Sequence, residues 1–411
     1  MQSLKLLKTL ISIIATTVFV QSVWAVDGAN IIYDGGTRIE IPEAGFSVKL
    51  AVEINVAYSY TAVNRGGENI NSFDMYRERL TISGDALDKH INYFLQNNFE
   101  TSDITAFNNA STREQFGVGN SAPAHGSGLQ EGWIQYNFDK DVKLRLGRQK
   151  EQFGYALPSS TAKQQFLVRP LAYQVISEIY KLIAGTQAGA TGYYSVPLES
   201  KSSLNLSLGV FNGQSYAANG TTSYKANYAT DTHVTGILSA NYIYNGFDRS
   251  QEGDVGYTNG VSWTTGLSGS YRKADFSGVS GTSFYTGTAS IYNAGIDFGL
   301  RSRGFSLQAE AFTSILDRED ASTLDNYGYY VQTGYFITPK DMEVALRFSG
   351  VDMDRHFIAG GRDSYEYSAV FNKYILGHNL KLQAVVSYYE LRTGVAKHDV
   401  SKFMLGVCGV L

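Results

Sequence analysis

The chain is expected to be all-β: a closed antiparallel transmembrane β-barrel of about sixteen strands. Three observations carry that expectation. Apolar residues recur with period two through sixteen separate segments, the connections between segments alternate between short and long, and all 6 prolines fall outside the segments.

Lys5 and Lys8 precede the apolar run Leu10–Val20, and Val23-Trp24-Ala25 follows it. A basic start, a short apolar core and a small residue at the cleavage point make 1–25 a secretory signal peptide. The run is well short of the roughly 20 residues that a spanning helix needs. Cleavage after Ala25 removes two lysines and no acid, taking the formal net charge from −4 to −6. A mildly acidic chain has no whole-molecule attraction for nucleic acid. Residues 26–45 form a short periplasmic lead-in, far smaller than the plug domain of a TonB-dependent transporter, and 46–411 is the barrel.

The first strand shows the pattern. Phe46, Val48, Leu50, Val52, Ile54, Val56 and Tyr58 point one way, while Lys49, Glu53, Asn55 and Ser59 point the other. A helix would smear these apolar positions around its cylinder. Further segments run roughly 72–85, 89–101, 128–138, 142–150, 186–196, 202–211, 234–244, 262–272, 285–300, 304–316, 327–337, 341–350, 364–375, 379–390 and 402–411. Most reach the 9–11 or so residues of a tilted membrane strand.

Short connections near 85–88, 138–141, 197–201, 301–304, 338–340 and 376–378 alternate with long ones, as in outer-membrane barrels with periplasmic turns and extracellular loops. The connection 245–260 breaks the rule by being long on the short side. Proline cannot donate to the ladder bonds that lipid makes obligatory, so its exclusion from the strands is an independent check. Composition agrees: 29 tyrosines, 22 phenylalanines and 42 glycines with only 18% charged residues suit aromatic girdles and crowded strands. The single Cys408 excludes an intrachain disulfide.

Three stretches resemble the phosphate-selective porin O and P family: Phe73–Gly84 (FDMYRERLTISG), Leu144–Gly154 (LRLGRQKEQFG) and Phe166–Ala172 (FLVRPLA). The resemblance implies an outer-membrane porin that passes small hydrophilic solutes passively. It also implies a homotrimer amid outer-membrane lipid and lipopolysaccharide, with the third extracellular loop folded into the lumen. One departure is Leu411, where such barrels usually end in an aromatic residue.

Parity sends Lys49, Arg77, Arg79, Lys143 and Arg145 into the lumen from strands one, two and five. This is a candidate basic wall that would draw anions, or a set of charges that only keeps the wall wetted. Arg272, Arg347 and Lys381 point inward as well, as do Glu53, Glu131, Asp297, Glu310, Glu343 and Glu366, so any preference is expected to be modest. Loop 151–185 is the expected constriction, with Lys163, Arg169 and Lys181 set against Glu151 and Glu178. The 6 histidines show no metal-ligand spacing and no nucleophile–base constellation is evident, so no metal, cofactor or catalytic role is expected. The competing reading is a structural or adhesive barrel whose long loops bind a partner.

Overall fold

The computed structural model describes residues 29–63, 69–99, 128–179, 182–183, 185–199, 201–212, 214–219, 223–228, 234–275, 288–319, 322–354, 363–393 and 396–411. The expected signal peptide lies outside them. Among the described residues sixteen strands form the wall: β1 (Phe46–Val63), β2 (Ile70–Ala86), β3 (Ile91–Asn98), β4 (Gly128–Asn137), β5 (Val142–Lys150), β6 (Thr186–Pro197), β7 (Ser202–Asn212), β8 (Val234–Tyr244), β9 (Ser262–Asp275), β10 (Thr288–Ser302), β11 (Phe305–Arg318), β12 (Leu324–Thr338), β13 (Met342–Asp352), β14 (Ser364–Tyr374), β15 (Leu380–Thr393) and β16 (Ala396–Val410). Each pairs antiparallel with the next. Val400–Val410 of β16 pairs with Glu53–Val63 of β1, so no edge is left open to lipid.

The expected segments and the observed strands coincide to within a few residues. The third begins later than its alternation suggested because Leu87, Asp88 and Lys89 adopt left-handed φ values of 50°, 52° and 68°, which turns the chain before Ile91. Side chains obey the pleat. Leu208 and Val210 are 62% and 52% exposed on the lipid face, while Ser207 is buried on the inner one. β2 departs once. Its pairing with β1 steps from Asn55–Arg77 to Val56–Met75, a bulge that turns both Tyr76 and Arg77 inward.

The periplasmic turns are built from residues suited to them. Arg303 and Gly304 (φ 50° and 85°) link the paired Ser302 and Phe305 in a two-residue hairpin. Asp139 accepts the N–H groups of Val142 and Asp141, both at 2.7 Å, and these bonds hold its carboxyl below the usual carboxylate range.

The lead-in is a hairpin, Asn30–Tyr33 with Thr37–Ile41, whose second strand pairs with Phe46–Leu50 of β1. β16 runs out beside Val52, where Leu411 exchanges two 2.8 Å backbone bonds with it, and Thr37–Ile41 continues along the same edge. The non-aromatic Leu411 is thus fully engaged in the ladder.

Candidate functional site

The lumen is not lined by polar residues alone. Inward positions of β10–β16 carry Ile291, Phe312, Leu316, Tyr330, Val351, Val370, Val385, Tyr389 and Met404, all buried. Strands apolar on both faces cannot face water on one of them, so something must cover the inner side. Loop L3 (151–185) does. Its Phe153, Ala156, Leu157, Leu171, Tyr173, Val175 and Ile176 pack with Phe312, Leu316, Tyr330 and Tyr389, and its Phe166, Leu167 and Val168 pack with Tyr76, Val370, Val385 and Met404.

Polar groups fix the position of this covering. Glu310 on β11 accepts the Tyr173 hydroxyl, the Ala156 N–H at 3.2 Å and the Tyr330 hydroxyl at 3.1 Å. Gly154 (φ +65°) passes so close to Glu310 that a Cβ there would overlap the carboxylate. Glu366 accepts the Leu171 N–H at 2.7 Å and pairs with Arg347 at 2.6 Å, while Arg347 Nη1 donates to Val168 O at 2.9 Å. Glu343 accepts Gln165 Nε2 at 2.7 Å. From β2, across the seam, Arg77 donates to Leu167 O at 3.2 Å, and Arg79 donates to Thr161 Oγ1 at 2.5 Å.

The long connection that interrupted the short-turn pattern folds into the lumen from the periplasmic side. Turn T4 (245–261) buries Phe247, Glu252 and Asp254. Its Arg249 binds Asp297 on β10 through two bonds of 2.7 and 2.9 Å, and its Glu252 accepts from Gln332 Nε2 at 3.0 Å. T4 also meets L3 directly. The Ser160 N–H donates to Ser250 O, the Glu252 N–H to Lys163 O and the Gln165 N–H to Glu252 Oε2, each at 2.9 Å, and the Tyr155 hydroxyl donates to Gln251 O at 2.6 Å. L3 and T4 therefore form a clasp within the lumen, joining an extracellular loop to a periplasmic turn. Beside it in the β14–β15 turn, burial and the neighbouring Lys381 keep the His378 ring well below the usual imidazole range and hence neutral.

The expected basic wall is divided among three places. Lys49 sits at the periplasmic rim and binds Asp34 of the lead-in at 2.7 Å. Arg77 and Arg79 lie beneath L3 and anchor it. Only Lys143 and Arg145 remain partly exposed on the uncovered side of the lumen. Of the loop charges, Lys163 is partly exposed, Glu151 is buried and accepts from Gln187, and Arg169 donates to Leu157 O at 3.2 Å. The Glu178 side chain and Lys181 lie outside the described residues. The inward acids Asp297, Glu310, Glu343 and Glu366 are all on the covered side and all engaged. Parity found the lumen face of each strand but could not tell which side of it L3 covers. Arg249 and Glu252 were missed because T4 has no periodicity.

With a closed sixteen-stranded wall and an inward third loop, the comparison with known proteins is decisive. The profile of the family Phosphate-selective porin O and P matches residues 46–401. The chain belongs to that family. The fold is shared with an anion-selective porin from Comamonas acidovorans (11% identity, 89% of this chain and 100% of that one, TM-score 0.53). Pseudomonas putida OprB is similar at 11% identity, 90% and 95% coverage and TM-score 0.59. The outer membrane channel DcaP of Acinetobacter baumannii is similar at 12% identity, 89% and 98% coverage and TM-score 0.54. No curated protein matches significantly by sequence. This porin is an outer-membrane passive diffusion channel.

Proposed function

We propose that this porin favours anions modestly among the small hydrophilic solutes it passes. One observation carries the reading: the inward acids of β10–β14 are sealed beneath L3 and T4, whereas Lys143, Arg145 and Lys163 stay partly exposed beside the uncovered passage. A monovalent anion about 6 Å from one such charge gains roughly 0.7 kcal/mol in water. Two of them acting together amount to a several-fold preference, which salt weakens because screening shortens their reach to about 10 Å at 0.1 M. The test is the reversal potential across a KCl gradient. Wild type is expected to prefer chloride, and Lys143→Glu/Arg145→Glu to prefer potassium. A potassium-preferring wild type, or a double variant with unchanged potential, sinks the proposal.

We also propose a homotrimer, exported by residues 1–25 and set in outer-membrane lipid and lipopolysaccharide. Glu78, paired with the outward Ile54, and Arg148, paired with Gly132, both sit on the outer face of the wall. An arginine facing lipid costs up to about 2–4 kcal/mol at the midplane, so a neighbouring barrel suits this sector of β2–β5 better than acyl chains do. The mass in mild detergent is expected to be that of three barrels. A mass of one barrel counts against the trimer.

A further inference from the structure

On the uncovered side four consecutive strands place one inward side chain each in a continuous stack. Phe94 of β3 lies parallel to Trp133 of β4, with centroids 5.3 Å apart and planes 10° apart. The Arg145 guanidinium of β5 lies 3.9 Å from the Trp133 centroid and 5.1 Å from that of Tyr193 on β6. These spacings follow the roughly 4.8 Å between neighbouring strands, so the row runs around the wall, its faces used against one another and its edges toward the passage.

Those edges are all electropositive. Aromatic rims carry partial positive charge. Arg145 commits Nε and Nη2 to the single Gln135 Oε1 at 3.1 and 2.9 Å, and its Nη1 makes no hydrogen bond among the described residues. Lys143 stands two residues along on the same face. The wall's acids do not cancel this row, since Glu131 faces Lys150 at 3.9 Å and Asp85 is held by Ser47 and Asn92.

We propose that this row is a subsite for aromatic carboxylates, a specificity resting on the anion preference proposed above. A carboxylate matches the spacing of the parallel N–H groups at a guanidinium end, and a flat apolar body suits the flanking rings. Charge alone would take any anion, whereas the stack selects one with a ring.

The test uses benzoate as probe against the purified porin in a planar bilayer. Benzoate is expected to block the current in brief, concentration-dependent events, while acetate and inorganic phosphate at equal concentration do not. Arg145→Gln is expected to weaken the block roughly tenfold, as loss of a charge-assisted bond does. Trp133→Leu should weaken it comparably with the KCl reversal potential unchanged, and Trp133→Phe should retain most of it. Equal block by phosphate, or full benzoate block in Trp133→Leu, overturns the subsite and leaves general anion attraction. Absence of block in a chloride-preferring channel overturns the subsite alone, whereas a potassium-preferring wild type overturns the anion reading beneath it. Heat-dependent gel mobility of each variant, showing a folded barrel, validates the comparison.

Discussion

Deleting Phe247–Ser262 is expected to raise single-channel conductance by about twofold, since the narrowest cross-section of a pore governs its passage. The deletion joins Tyr244-Asn245-Gly246 to Trp263, and Tyr244 already pairs with Trp263. Asn245 and Gly246 already have φ values of 53° and 66°. An Asn-Gly pair with both φ values positive is the preferred two-residue hairpin, so β8 and β9 close on a turn they have nearly formed. What is lost is the periplasmic half of the clasp. Ser160, Lys163 and Gln165 lose their partners on T4, and Asp297 loses Arg249. The tip of L3 is then held only from the strands, by residues such as Arg77, Arg79, Glu343, Asn372, Lys381 and Gln383, so current noise should rise with the conductance. Single-channel recording checks both. An unchanged conductance would mean that T4 lies outside the conducting path.

Arg347→Leu is expected to have the largest effect on stability. Arg347 and Glu366 face each other at 2.6 Å with side chains 1% and 0% exposed, beneath L3 and out of reach of lumen water. Removing one member of such a pair leaves a buried charge without its counterion and costs about 3–5 kcal/mol. The loss extends to the loop, because Val168 O loses the Nη1 donor. The temperature at which the folded band converts to the unfolded one on a gel should fall markedly. Arg347→Leu/Glu366→Leu should recover much of it, since an apolar replacement of both partners leaves no charge stranded, although the Leu171 N–H then lacks its acceptor. A double variant as unstable as the single one would place the cost in packing.

The strands were legible because a barrel wall writes a local signal. Leu204, Leu206, Leu208 and Val210 alternate with small or polar residues since one face meets lipid and the other the lumen, and neither requirement depends on distant residues. The covered lumen was half legible. Val370, Val385 and Tyr389 are apolar at inward positions, a breach of alternation that marks where a loop must lie. The clasp was not legible at all. Its bonds join residues such as Gln165 and Glu252, 87 positions apart, and nothing in the composition of 245–260 distinguishes an inward turn from an outward one. The five basic residues stand in different surroundings for a related reason. Lys49, Arg77 and Arg145 share a parity but not a covering, and the covering is set by the loops.

The seam of the barrel poses a kinetic problem that the lead-in hairpin addresses. Closure must bring Glu53–Val63 against Val400–Val410, a pairing of segments at opposite ends of the chain, and contacts so distant in sequence form slowly. The hairpin Asn30–Ile41 and the start of β1 are neighbours in sequence and pair as a local three-stranded sheet. That sheet can order β1 before its final partner arrives and present an extended edge along which β16 zips until Leu411 meets Val52. On this view the lead-in is a template for the last strand to dock, placed where the slowest step of assembly ends.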